Sequence, residues 1–68
     1  MKYAVVIERA DGNFSAYVPD LPGCVAVGDT VEETQEQIRE AITFHLDGLR
    51  EDQLPIPQPV TVVEYVAA

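Results

Sequence analysis

The chain has one cysteine, one histidine, no tryptophan and only four basic residues in 68. Each shortage excludes something. A lone cysteine cannot build an internal disulfide framework, and a free thiol suits a reducing compartment, so the expected location is the cytoplasm. One cysteine and one histidine cannot complete a zinc site within one chain; such a site would have to be shared between subunits. Lys2, Arg9, Arg39 and Arg50 are too few and too scattered for the basic patch that direct nucleic-acid binding requires. No apolar run approaches the roughly 20 residues of a membrane span. Met1-Lys2 leads straight into an alternating pattern, so no signal peptide is expected. Gly23 and Gly28 lack the spacing and the lysine of a phosphate-binding loop.

What is present describes a folded chain: 47% of residues are hydrophobic and 24% charged. One domain is expected over residues 1–68. A chain this short buries only about 60% of its unfolded-state surface, so its core is small. Twelve acidic residues set the formal net charge at −8. Such a surface repels phosphate and attracts basic proteins, and it also keeps a small protein soluble.

Hydropathy alternates with a period of two from Lys2 to Arg9, with Tyr3, Val5 and Ile7 on one face and Ala4 and Val6 on the other. Two apolar faces are the mark of a central strand. Asp11-Gly12-Asn13 marks a tight turn into an antiparallel second strand, Phe14 to Val18. Pro19-Asp20-Leu21-Pro22-Gly23 then breaks the ladder, because its prolines lack amide donors. It reads as an exposed, stiff turn. A third strand runs from Cys24 to Val27 and ends at Gly28, its small residues leaving room for close packing.

Thr30 is a helix N-cap, and Glu33 falls at the capping-box spacing. From Val31 the period becomes helical for about five turns. Val31, Ile38, Ile42, Leu46 and Leu49 form one stripe, flanked by Thr34, Ala41 and His45. Glu32, Glu36, Arg39, Glu40, Asp47 and Glu51 occupy the opposite side, and Phe44 projects well off the stripe. Pro55, Pro57 and Pro59 predict an extended connector. Val60 to Val66 reads as a fourth strand.

The order β-β-β-α-β predicts an α+β fold. A right-handed crossover would lay the fourth strand parallel to the first, giving a four-stranded mixed sheet of order 3-2-1-4 with one helix on one face. A single helix covers only one face of a sheet. The other face carries apolar side chains, which predicts at least a dimer, with Phe44 or that second sheet face at the contact.

Pro19-Asp20-Leu21-Pro22-Gly23-Cys24, then Gly28-Asp29-Thr30, then Glu32-Glu33, and after the helix Leu54-Pro55-Ile56-Pro57-Gln58-Pro59, resemble the HicB-like antitoxin family over nearly the whole chain. The resemblance implies a partial ribonuclease-H-like fold. It also implies the antitoxin half of a toxin–antitoxin pair, one that blocks the active site of a small basic HicA-type RNA-cleaving toxin. Many relatives carry a C-terminal DNA-binding module that represses their own operon; this sequence ends at Ala68 soon after the expected fourth strand, so a stand-alone form without a DNA-binding domain is expected, with operon repression left open.

Asp20, Leu21 and Pro22 are therefore candidates for a partner surface, as are the acids Glu32 and Glu36, which would attract a basic toxin. The alternatives are a purely structural turn and a solvated helix face. Phe44 is the candidate subunit contact. No residue is assigned to catalysis, cofactor or metal. Cys24 reads as a small buried hydrophobe rather than a nucleophile, and His45 as a partly buried core-edge residue. A two-metal nuclease would need clustered acids. Glu8 and Glu64 sit near strand ends, but no helix acid falls on the sheet-facing stripe. The readings left open are an antitoxin-like inhibitor, an orphan oligomeric module without a toxin and, least supported, a metal-dependent nuclease.

Overall fold

The computed structural model describes all residues from Met1 to Ala68. Three strands, β1 (Val6–Ala10), β2 (Asn13–Tyr17) and β3 (Val25–Gly28), precede one helix, α1 (Val31–Glu51). The sheet is antiparallel throughout, in the order β1-β2-β3. The α+β class, the single helix and the 3-2-1 half of the expected order are all present.

Register follows from the two turns. Asp11 and Gly12 link the paired ends Ala10 and Asn13, and Gly12 takes φ 76°, a conformation that glycine adopts without a Cβ penalty. Ile7, Ala16 and Ala26 lie side by side across the three strands. This row faces α1: Ala16 is buried, and Ile7 and Ala26 pack against the core with Ile38 and Leu46. The next row, Val6, Tyr17 and Val25, faces away from the helix.

Thr30 caps α1 as the spacing predicts, its hydroxyl accepting the Glu33 N–H at 3.0 Å. Thr34 is completely buried rather than flanking, and its hydroxyl donates to the Thr30 carbonyl at 2.7 Å. It can sit so deep because Gly28 has no side chain. A Cβ at Gly28 would fall 2.6 Å from Thr34 Oγ1 and 2.8 Å from its backbone nitrogen. At the other end Gln53 takes φ 57° and closes the helix, with the Leu54 N–H donating to the Leu49 carbonyl and the Gln53 N–H to that of Arg50. That is the paired bonding of a Schellman C-cap, here without its usual glycine.

Three expectations are corrected. First, Val60–Val66 does not join the sheet, so there are three strands and not four. Pro55, Pro57 and Pro59 cannot donate to a ladder. The first free amides beyond them, on Val60 and Thr61, are taken by the Asp20 carboxylate. Second, β1 is therefore an edge strand, and β2 is central. The apolar run at the N-terminus reflects side chains on both faces, not strands on both sides. Third, the Pro19–Gly23 turn is not wholly exposed. Leu21 is completely buried, and the loop folds on itself, the Leu21 N–H donating to the Val18 carbonyl and the Cys24 N–H to that of Leu21.

Two glycines should respond oppositely to alanine. Gly28→Ala forces β3 and α1 apart and is expected to destabilise by about 1–3 kcal/mol, the cost of overpacking. Gly48→Ala projects into open space in mid-helix and should stabilise by about 0.5–1 kcal/mol. Urea unfolding of the two variants followed by circular dichroism checks both signs.

Candidate functional site

The groups expected to meet a partner do not form one cluster. The Asp20–Pro22 turn precedes β3, whereas Glu32 and Glu36 begin the helix that follows it. The two sets therefore lie toward opposite ends of that strand. Within the turn, Leu21 belongs to the core beside Val18, Cys24, Ile38 and Leu46, so its role is packing. Asp20 is engaged inside the molecule. Its Oδ2 accepts the N–H groups of Val60 and Thr61 at 3.2 and 3.1 Å, and its Oδ1 accepts the Thr61 hydroxyl at 2.8 Å. Only Pro22 of the three is exposed and uncommitted.

Asp20 thus fastens the C-terminal segment to the β2–β3 loop. Nearer the helix, Ile56 packs against the core and the Tyr3 hydroxyl donates to the Pro57 carbonyl. None of these links was foreseen. An Asp in a turn and a Thr after a proline run are each common, and nothing local pairs residues 41 positions apart.

On α1, Glu32 and Glu36 are exposed as expected. Glu36 accepts from Arg39 at 2.8 Å, an exposed pair worth no more than about 1 kcal/mol. Over the whole helix, six acids face two arginines. Phe44 stands in the middle of this outer face with 82% of its surface exposed, in a shallow cleft with Arg39, Glu40, Thr43 and Asp47. An aromatic side chain bare among charges is the kind of anchor that binding surfaces are built around.

A second bare surface lies on the sheet face away from the helix. Tyr17, Val25 and Val27 are all exposed there, and Val6 completes the row that Tyr17 and Val25 belong to. The uncovered apolar face expected from one helix on one sheet is present. Cys24 is buried, and burial pushes its thiol pKa up, away from the reactive thiolate. His45 is half-buried at the edge of the helix stripe. Glu8 lies exposed beside Ser15 on β2, and Glu64 is in the C-terminal segment.

The hydrogen bonds from the Thr61 backbone, the Thr61 hydroxyl and the Val60 backbone hold the Asp20 carboxyl below its ordinary value of 3.8. A carboxylate with a depressed folded-state pKa stabilises the fold above its unfolded value, and that contribution disappears as pH falls through the folded one. The C-terminal segment should therefore come loose as the pH falls through the depressed folded-state value of Asp20, and Asp20→Asn should weaken its attachment at neutral pH and abolish that pH dependence. Amide chemical shifts of Val60 and Thr61, followed by NMR titration, report both effects.

Residues 3–68 match the family described as the HicB-like antitoxin of bacterial toxin–antitoxin systems. An uncharacterised 14.9 kDa protein of Haemophilus phage HP1 is 36% identical over 97% of this chain and 50% of its own length. A UPF0150 protein of Thermoplasma acidophilum is 39% identical over 85% of this chain and 86% of its own length. Antitoxin HicB 2 of Photorhabdus laumondii is 33% identical over 90% of this chain and 44% of its own. The chain thus spans half or less of the phage protein and of HicB 2, but most of the UPF0150 relative. Among solved structures, a chain of a HicA3 and HicB3 toxin–antitoxin complex superposes with a TM-score of 0.76 at 28% identity, over 88% of this chain and 70% of that one. The protein belongs to the HicB-like antitoxin family.

Proposed function

We propose that this protein neutralises a small basic ribonuclease toxin of the HicA type by binding over its RNA site, and that it does no chemistry of its own. The observation that carries the reading is the outer face of α1, where exposed Glu32, Glu36 and Glu40 follow one another at one-turn spacing toward the bare ring of Phe44. A ribonuclease presents positive charge to its phosphate-rich substrate. An acidic face is complementary to that charge and competes with RNA for it. The membership in an antitoxin family and the likeness to a chain from a toxin–antitoxin complex support the same reading.

The expected turn surface contributes less than its sequence implies. Leu21 is inside and Asp20 is committed to the C-terminal segment, so of that turn only Pro22 is offered to a partner. The protein acts in the cytoplasm, where its target cleaves mRNA, and it acts as an oligomer. The uncovered row of Val6, Tyr17 and Val25 and the exposed Phe44 favour self-association. Self-association is also what an orphan module without a toxin would show, so toxin binding is the discriminating measurement.

Co-expression with a small basic HicA-type ribonuclease toxin, sought in a neighbouring reading frame, should yield a complex that survives purification and no longer cleaves RNA. The double reversal Glu32→Lys, Glu36→Lys should weaken that complex about ten- to a hundredfold at low salt, with a smaller effect at high salt, as exposed interfacial charges do. Calorimetric titration at two ionic strengths measures both. No complex at high micromolar concentration would rule out the toxin-binding reading and leave the orphan module.

A further inference from the structure

The segment after Thr61 leaves the body of the protein. Val62, Tyr65 and Val66 are 77%, 95% and 87% exposed, and Val63 is half exposed. Yet Val62-Val63-Glu64-Tyr65-Val66 has one charge and is otherwise made of residues that favour strands. It is five residues long, as is β1. Such a segment is costly to leave in water, and its backbone groups are unpaired with the sheet.

The matching vacancy is at β1. α1 lies across β3 and β2, so its flank and the outermost strand leave a groove of ≈ 330 Å³ between them. Val5 and Ile7 form its floor, and Ile38 and Ile42 with Gln35 and Arg39 form its wall. The outer edge of β1 presents unpaired N–H and C=O groups beside that groove. Here an added strand would make backbone hydrogen bonds and bury alternate side chains at once, the two requirements of strand addition. No such groove lies beside the other free edge, on β3, against which α1 packs.

The chain's own segment is directed elsewhere. Asp20 holds Val60 and Thr61 at the loop joining β2 to β3, one strand removed from the free edge of β1. A neighbouring molecule's segment has no such tether to this body. We infer that two copies exchange these segments, Val62–Val66 of each completing the sheet of the other at β1. Exchange of identical elements closes a twofold dimer with no strand edge left at β1.

The dimensions agree. A compact monomer of this mass would expose about 4,250 Å² and have a radius of gyration near ~11 Å. This chain exposes 5233 Å², and its radius of gyration is 13.0 Å. The surplus of about 1,000 Å² is close to the roughly 800 Å² per partner that a standard interface buries. The inference rests on the self-association read above and is independent of any toxin.

The test uses the full chain. Isotope-labelled and unlabelled protein are unfolded and refolded together, and filtered NMR experiments detect only contacts between molecules. Intermolecular contacts from the Val62, Val63 and Val66 methyls to Val5, Ile7, Ile38 or Ile42 are expected, in a species of twice the 7.5 kDa chain mass. The double variant Val62→Asp, Val63→Asp places a charge in the groove whichever side chain points inward. It should weaken the dimer by at least about a hundredfold, while helical circular dichroism is retained because both residues lie outside the core. A dimer whose C-terminal methyls show no contact to the partner's groove would overturn the exchange and leave self-association through the open sheet face or Phe44. A species of single chain mass at high micromolar concentration would overturn both.

Discussion

Thr34 and Gly28 set the position of the helix. Thr34 is completely buried, and the space its side chain occupies exists only because Gly28 has no Cβ. With its first turns pinned there and Thr30 capping them, α1 runs over β3 and β2 and places Ile38 and Leu46 on Ala16, Val18, Leu21 and Cys24. A helix held this close to β3 cannot also cover β1. The groove beside β1 follows from that one close approach, and the bare far side of the sheet from there being one helix to cover it.

The small core explains why the connections matter. Eight of 68 residues are buried, so cohesion depends on segments that contribute little apolar area. The loop between β2 and β3 turns Leu21 inward as a plug and Asp20 outward as a clasp. The proline run carries Ile56 back to the core, and Tyr3 and Asp20 hold it there. Both devices work with backbone polar groups that proline leaves free, the Pro57 carbonyl and the first amides after Pro59.

Apart from Phe44 on the helix, charge and apolar surface are kept apart. Acids line the outer face of α1, while the exposed valines and Tyr17 lie on the sheet side and in the C-terminal segment. A molecule divided in this way can meet its own kind through apolar surface and a basic protein through its helix. For a member of the HicB-like antitoxin family, the second of these contacts is the one that the proposed role requires.

Legible in the residues alone are the class of fold, the three strands in order, the capped helix with its acidic outer face, exposed Phe44 and buried Cys24, and the family. These rest on local signals: period two, period 3.6, turn residues and a motif within a few positions. The residues also imply an uncovered sheet face, because one helix covers one side. That β1 is an edge, that Leu21 is core, that Asp20 is spent on Thr61 and that Val60–Val66 lies outside the sheet are settled by the folded arrangement alone. The reason is physical. A strand is defined by its neighbour's hydrogen bonds, and an apolar β-branched run has the same pattern whether its neighbour is in its own chain, in another, or absent. Asp20 shows the same limit from the polar side: its partner is 41 residues away, and no local pattern encodes a distance that long.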